Sequence, residues 1–418
     1  MNRRRFVKLS TMAALANPIK GMVSSKSIKR SNPSKGHIAV IGAGAFGGWT
    51  AFNLLNRGYK ITLLDAWGPG NSRASSGGDS RVIRGVYGPD RIYIELVARS
   101  FKLWKRYQKR WHQQLYFPTG VLWMFQGEDM YARSSLPILT ELGLRNEELT
   151  RKEAGKRFPQ INMEDVRSFF YEYEGGYLPA RHCCQVVMNQ FVKGGGTYQQ
   201  IAVEPGEIKN GQMTNIRLMD GSTLNADTYV FACGPWLSKI FPIALKDVIQ
   251  PTRQEVFFFG TPYGNTDYFE QKTPVWTDFG KKLWYGIPGA DWRGFKVADD
   301  TRGVDFDPTT GDRTPSKRGI ESARKYLGKR FPGMKNAPLL EARVCQYENS
   351  LDGNYIVDRH PNAENVWVLG GGSGHGFKLG PALGEFVADR VTGKKEVDPF
   401  FSLSRFSDEP KKKTQFNQ

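Results

Sequence analysis

Gly36-His37-Ile38-Ala39-Val40-Ile41-Gly42-Ala43-Gly44-Ala45-Phe46-Gly47 is a short apolar run that ends in glycines spaced G-x-G-x-x-G. An apolar run of this length, bounded by glycine, reads as a buried strand. Trp49, Ala51, Phe52, Leu54 and Leu55 continue as a helix that Gly58 stops. A second strand, Lys60 to Leu64, ends in Asp65, 23 residues after Gly42. Strand, glycine turn, helix, strand and terminal acid each have a job in a dinucleotide-binding unit. Gly42 makes the tight turn, Gly44 lets backbone approach a pyrophosphate, and Gly47 lets helix pack on strand. The helix N-terminus presents unpaired N–H groups and a positive dipole end to the phosphates. Asp65 is placed to accept hydrogen bonds from ribose hydroxyls, which disfavours a 2′-phosphorylated cofactor.

The next segment separates a flavin from a nicotinamide. Gly68-Pro69-Gly70-Asn71-Ser72-Arg73-Ala74-Ser75-Ser76-Gly77-Gly78-Asp79-Ser80-Arg81-Val82-Ile83-Arg84 follows, where a nicotinamide enzyme would lay down another βα unit. Such a Gly/Ser stretch suits an extended cofactor. Thr228 to Ala232 is another strand-like run, ending in a Gly234-Pro235 turn. Val366-Trp367-Val368-Leu369 feeds Gly370-Gly371-Gly372, and a helix with Leu383, Phe386, Val387 and Val391 runs from near Pro381 to Gly393. That loop and helix can direct N–H groups and a dipole at negative charge on a reduced flavin. A tight turn or a second phosphate cradle are the alternatives.

With these motifs in view, the chain beyond about residue 36 resembles the monomeric sarcosine oxidase family of FAD-dependent amine oxidases, within the wider D-amino-acid oxidase-like group. Five signals carry the resemblance, in the family's order: the fingerprint, the Ser75–Arg84 run, Ala226-Asp227 through Trp236, Arg343-Val344-Cys345-Gln346-Tyr347, and Gly371 through Lys378. The resemblance implies FAD and a small anionic substrate, an N-methyl or cyclic secondary amino acid. It implies hydride transfer from the carbon beside an unprotonated amine, imine hydrolysis, and reoxidation by O2 with release of hydrogen peroxide.

By the same resemblance Cys345 carries the flavin through a thioether. That bond needs an accessible thiolate with a cation nearby, for which Arg343 is a candidate; a core thiol with noncovalent FAD is the alternative. Arg84 and Lys378 fall to the substrate carboxylate, one as a planar fork and the other as a point charge. Tyr347, two residues after Cys345, faces the same side of a strand and closes the site. Lys296 matches the family lysine that assists reaction with oxygen, whose reduction products are anions that a fixed cation stabilises. Arg81 and His375 fall near the flavin ring. Ser75, Val203, Gly372, Gly374 and Gly376 join Gly42, Gly44, Gly47, Asp65 and Lys378 as cofactor contacts. Two positions depart from the family: Gly77 and Asp300 stand where imidazoles are common. A carboxylate at 300 would suit a larger or more basic amine, or is a surface group beside Asp299. Trp276, Trp284, Tyr285 and Trp292 widen an apolar pocket or belong to the core.

The expected fold is α/β (α+β mixed): a Rossmann-type FAD-binding domain, 36–113, 176–250 and 338–406, interleaved with a smaller strand-rich substrate domain, 114–175 and 251–337. Residues 1–35 are an export signal or disordered arm and 407–418 a tail. A composition of 39% hydrophobic and 24% charged residues excludes a disordered or collagenous chain. No apolar run approaches the roughly 18 residues of a membrane span. The net charge of +18 is concentrated in part in Met1–Arg30, which has eight basic residues and no acid. Without a zinc knuckle, RNP motif or basic helix, nucleic acid is not the expected partner; a positive field that draws in small anions, or a solubility role, accounts for the excess. Arg3-Arg4-Arg5-Phe6-Val7-Lys8, followed by Leu9 to Ala16, resembles a twin-arginine export signal, against a transit peptide or a disordered tail in a cytoplasmic protein. Cys183, Cys184, Cys233 and Cys345 and five scattered histidines make neither a disulfide framework nor a metal site. A monomer is expected. The rivals are a same-fold dehydrogenase passing electrons to a quinone or carrier, a catalytically silent flavin-binding module, and an NAD-dependent dehydrogenase.

Overall fold

His37–Ile41 is buried from Ile38 onward and runs parallel to Lys60–Asp65 on one side and Thr228–Phe231 on the other. The computed structural model describes residues 35–289 and 293–407; the arm with its export-signal resemblance, Trp292 and residues 408–418 lie outside the described residues. Six strands form the sheet, in the order Ile356–His360, Ala363–Gly370, Thr228–Phe231, His37–Ile41, Lys60–Asp65 and Thr197–Gln200. All are parallel except Ile356–His360, which pairs antiparallel with its neighbour. A parallel sheet covered on both faces must be apolar on both, and Val40, Leu63, Val230 and Val368 are fully buried. The fingerprint helix Ala45–Asn56 packs on Gly380–Val391 and Ala180–Lys193. Its Trp49 inserts among Trp104, Tyr107 and Trp111 of the long helix Arg91–Trp111.

A second sheet has eight strands, in the order Leu339–Ser350, Ile249–Phe259, Phe295–Asp299, Leu283–Ile287, Val275–Phe279, Val121–Phe125, Ser168–Glu172 and Asn146–Leu149. Only Val275–Phe279 and Val121–Phe125 pair in parallel. Leu339–Ser350, which the sequence groups with the cofactor segments, hydrogen-bonds to Ile249–Phe259 along its whole length. The result is an edge strand of the second sheet that carries Cys345 and Tyr347 toward the glycine loops of the first. One hydrophobic cluster runs from Val40 and Leu63 through Trp104 to Trp123 and Phe125 of the second sheet. Among the described residues no helix is long and apolar enough to cross a membrane.

Candidate active site and cofactor cleft

Where the parallel strands end, the chain turns away and leaves a cleft of about 330 Å³, the position at which open α/β sheets take ligands. Gly42, Gly44, Asp65, Ser75, Arg81 and Val203 line it, facing Tyr347, Gly372, Gly374 and Gly376. Gly42 has φ +106°, and a Cβ there would be driven into the Ala232 carbonyl. At Gly47 a Cβ would strike the Gly42 carbonyl, so these two glycines are required by the protein's own backbone. Gly44 differs: it has φ −72°, and its nearest obstacle is the Ser76 hydroxyl at 3.3 Å. Nothing in the chain demands glycine at 44, whereas a phosphate lying against the backbone does. Asp65 accepts from Ala43 N at 2.7 Å, Trp67 N at 2.9 Å and Gly68 N at 2.7 Å. A carboxylate has about four acceptor sites, so one is left for a ribose hydroxyl.

Two buried oxygens at this cleft, Ser75 Oγ and Glu348 Oε2, have no hydrogen-bond partner among the described residues. Buried polar atoms are normally satisfied, and a polyhydroxylated, phosphorylated cofactor offers the missing partners. The residues present therefore fit FAD. Glu348, whose Oε1 accepts from Gly372 N at 3.2 Å, is pushed up to about 8 by burial. Its strand also carries Glu341, Arg343, Gln346 and Asn349, so nothing in the sequence singled it out.

At the other end of the cleft Arg81 donates to the carbonyls of Ser75 at 2.5 Å and Ser80 at 2.9 Å, and to Cys345 Sγ at 3.4 Å. The cation beside Cys345 is thus Arg81. Arg343, on the same face of the strand as Cys345, is instead paired with Asp79 at 3.1 Å and with Glu341. Cys345 and Cys233 are partly exposed, whereas Cys183 and Cys184 are buried; of the four, Cys345 is the one that Arg81 contacts. Lys296 donates to the Ser80 carbonyl at 3.0 Å and is lowered to about 7, first by burial and then by Arg81. His375 is buried with both ring nitrogens engaged, Nε2 with the Gly353 carbonyl at 3.0 Å and Nδ1 with the Tyr355 hydroxyl at 2.9 Å. A carbonyl only accepts, so the proton sits on Nε2 and the ring is neutral; burial and Lys378 depress it well below the usual histidine value.

A recess of about 50 Å³ adjoins the cleft, sharing Arg81, Tyr347, Gly374 and Phe377 with it. Arg84 and Lys378, 5% and 4% exposed, line it. Arg84 donates to the Val86 carbonyl and lies over the rings of Tyr87 at 4.6 Å and Trp123 at 5.3 Å. Glu172, which sequence reasoning passed over, fixes this turn by accepting from Gly85 N, Val86 N and Trp123 Nε1. Lys378 Nζ donates to the His375 carbonyl at 2.7 Å and is held well below the ordinary lysine value by burial, then by Arg84. Asp300 also lines the recess and accepts from the Tyr347 hydroxyl at 2.5 Å. The surface reading of Asp300 is therefore wrong; Asp299, bound to Lys282 at 2.6 Å, is the outward member of the pair. Burial raises Asp300 to about 6 against the pull of Tyr347, Arg84 and Lys378.

The departure at Gly77 and the open choice between pocket and core for the tryptophans each find a structural reason. A side chain at Gly77 would run into the Asn71 carbonyl, so the tight 71–77 turn excludes any imidazole there. Trp276 and Trp284 stack on Tyr326, at 5.6 Å and 4.5 Å, inside the second core. Strand alternation leaves Tyr285 facing the recess.

A family model described as FAD dependent oxidoreductase (DAO) matches residues 37–390. A monomeric sarcosine oxidase from Bacillus sp. is 30% identical over 379 residues, 88% of this chain and 95% of that protein. N-methyl-L-tryptophan oxidase from Salmonella dublin is 27% identical, over 88% of this chain and 99% of its own. L-proline dehydrogenase from P. horikoshii shares the fold with a TM-score of 0.79 at 21% identity, over 91% of this chain and all of that one. These matches remove the NAD-dependent reading. The fingerprint, the cleft it builds and a match across most of the chain place this protein in the FAD-dependent oxidoreductase family, as an enzyme related to the sarcosine oxidases.

Proposed function

We propose that the protein oxidises the C–N bond of a small N-methyl or cyclic secondary amino acid, with O2 as the electron acceptor and hydrogen peroxide as a product. The observation that carries this reading is the pair of buried cations, Arg84 and Lys378, in a recess that opens onto the FAD cleft. Asp300 and Glu172 act on both cations but are themselves pushed toward neutrality by burial, and a substrate carboxylate of this size adds the full charge that desolvated cations favour. Bound FAD supplies the hydride acceptor. Arg84 and Lys378 hold the carboxylate, which leaves the amine end toward Tyr347, the residue common to recess and cleft. Lys296, buried beside Ser80 and Arg81, places a cation where reduced oxygen species would carry negative charge. Cys345, partly exposed and in contact with Arg81, attaches the flavin covalently. The FAD-binding domain is built around the glycine-loop sheet, with segments 36–113, 176–250 and 338–406, and lends Leu339–Ser350 to the second sheet; 114–175 with 251–337 form the substrate domain. The relatives named monomeric sarcosine oxidase support a monomer.

The test combines a spectrum with a peroxide assay. Purified protein is precipitated with acid, and its flavin absorbance is followed in pellet and supernatant, with Cys345→Ala as control. Peroxide release is then measured across N-methyl and cyclic secondary amino acids. Flavin that stays in the wild-type pellet, leaves in the variant, and yields peroxide with one of these amines is the expected result. Flavin reduction without peroxide would assign the protein to the dehydrogenases, and no reduction by any amine would end the reading.

A further inference from the structure

Arg84 and Lys378 are not the only charges facing the recess. Asp300 lines it too, at the junction with the cleft, because the Tyr347 hydroxyl that binds it lines both spaces. Its electrostatic neighbours are Arg84 and Lys378 across the recess, Tyr347 and Tyr285 beside it, Asp299 before it in the chain, and Lys296 beyond. Arg81 lines it as well but is turned to Ser75, Ser80 and Cys345, so this small volume offers a ligand two cationic groups, Arg84 and Lys378, and one carboxyl. That is the charge pattern of a zwitterion in negative, with the cations matching a carboxylate and the carboxyl matching an ammonium.

Resting on the amino-acid oxidase reading above, we propose that Asp300 is a catalytic residue that binds the substrate ammonium and accepts its proton, delivering the free amine to be oxidised. A secondary amino acid arrives as an ammonium at neutral pH, and loss of hydride from the adjacent carbon requires the nitrogen lone pair. In the step, the N–H bond of R2NH2⁺ breaks and an O–H bond forms on the Asp300 carboxylate. No electrons are transferred, and one positive and one negative charge disappear together.

The other titratable groups lining the recess cannot take this role. Arg81 and Arg84 have no available lone pair. Tyr285 and Tyr347 are held above the usual tyrosine value by burial. The His375 ring has both nitrogens engaged, and Lys378 donates to the His375 carbonyl. Glu172, behind Arg84, spends its oxygens on Gly85 N, Val86 N and Trp123 Nε1. Asp300 is ionised at neutral pH, being raised only to about 6, and so is both a carboxylate on arrival and a base of useful strength. It is partly exposed, so the proton can pass on to solvent after turnover. Taking the proton also removes its negative charge from beside Arg84 and Lys378, which strengthens their hold on the substrate carboxylate.

Asp300→Asn keeps the size and removes the charge. Two ligands that cannot be oxidised are titrated against the flavin absorbance of the holoenzyme: methoxyacetate, neutral at the amine position, and trimethylglycine, which carries a fixed cation there. The expected result is opposite shifts, tighter methoxyacetate and trimethylglycine weakened about tenfold or more, the size of a lost charge-assisted contact. In wild type kcat/KM for the amine substrate is flat above the Asp300 value, whereas the variant depends on free amine and gains about tenfold per pH unit up to the amine pKa. Ligands shifting in the same direction, or superimposable pH profiles, would overturn the proposal. If Asp300→Asn does not fold, Tyr347→Phe serves: losing its hydrogen bond raises the acidic midpoint of kcat/KM, and an unchanged midpoint counts against Asp300. A wild type that binds methoxyacetate and oxidises an amine, paired with a variant lacking the opposite shifts, removes this inference alone. A wild type that does neither removes the amino-acid reading as well.

Discussion

Arg84→Met tests whether the recess is an anion site and whether its two cations act as a pair. A charge-assisted hydrogen bond in a buried position is worth about 1.5–3 kcal/mol, or roughly 10–150-fold in affinity. The low end applies here, for a reason visible in the geometry. Lys378 is depressed by burial and then by Arg84, so deleting Arg84 lets Lys378 hold its proton and replace part of the lost attraction. The same compensation makes the double variant worse than the sum. Arg84→Met and Lys378→Met should each weaken methoxyacetate about tenfold, and the double variant by more than a hundredfold, with a coupling of about 1 kcal/mol. Glu172 keeps its donors from Gly85, Val86 and Trp123 in every variant, so the loop that presents position 84 stays in place. The assay is flavin absorbance against ligand concentration at fixed ionic strength, with KM for the amine as a second readout. An Arg84→Met loss below threefold, or strict additivity in the double variant, would refute the reasoning.

Other substitutions probe the cofactor cleft, the oxygen site and the supporting sheet. Gly44→Ala should leave the unfolding temperature of the flavin-free protein within about 1 °C while weakening FAD by tenfold or more, whereas Gly47→Ala should lose both; equal effects at the two sites would show that 44 is a packing glycine only. Lys296 is lowered to about 7 and so is charged below that pH; reoxidation by O2 in stopped flow should quicken as pH falls through 7 and become slow and pH-independent in Lys296→Met. Asp278, fully buried, accepts from Arg330 at 2.8 Å, Tyr326 at 2.9 Å and Gln126 at 2.9 Å. Asp278→Asn leaves that guanidinium with the Asn162 carbonyl and half-buried Asp165 and should cost about 3 kcal/mol in chemical denaturation; a loss under 1 kcal/mol would count against it.

The cofactor half was legible because its signals are local. A strand, three glycines at fixed spacing and an acid on the next strand dictate their own geometry within thirty or so residues, and Gly42, Gly47 and Asp65 sit as that pattern requires. What the sequence could not supply was which face of one element meets which face of another. Alternation puts Cys345 and Arg343 on the same face of one strand, yet the cation that reaches the thiol comes from Arg81, 264 positions away. Adjacent Asp299 and Asp300 look alike in sequence; the strand end sends one to Lys282 and the other to Tyr347. Gly77 reads as a lost side chain, but it is a place where the Asn71 carbonyl leaves no room for one. Trp276 and Trp284 are as apolar as any pocket wall, and only the position of Tyr326 assigns them to the core.

The electrostatics of the site point the same way from an independent direction. Arg84, Lys296 and Lys378 are all buried, and the two lysines are driven toward neutrality by burial and by the arginines beside them. The acids nearby offset this only in part, since burial also moves Asp300 and Glu172 toward their neutral forms. A structural ion-pair network behaves in the opposite sense, each partner holding the other in its charged state. Here Lys296, Lys378, Asp300 and Glu172 are strained toward losing their charge, whereas Arg84, against the pull of burial, is held charged by Tyr131, Tyr87, Glu172 and Asp300; such strain costs stability and is kept where function uses it. A carboxylate entering the recess reverses the strain on Lys378, and an ammonium reverses it on Asp300. The unfavourable charges are thus complementary to one kind of small molecule, a zwitterionic amino acid, and the chain commits them to binding and turning it over at the expense of its own stability.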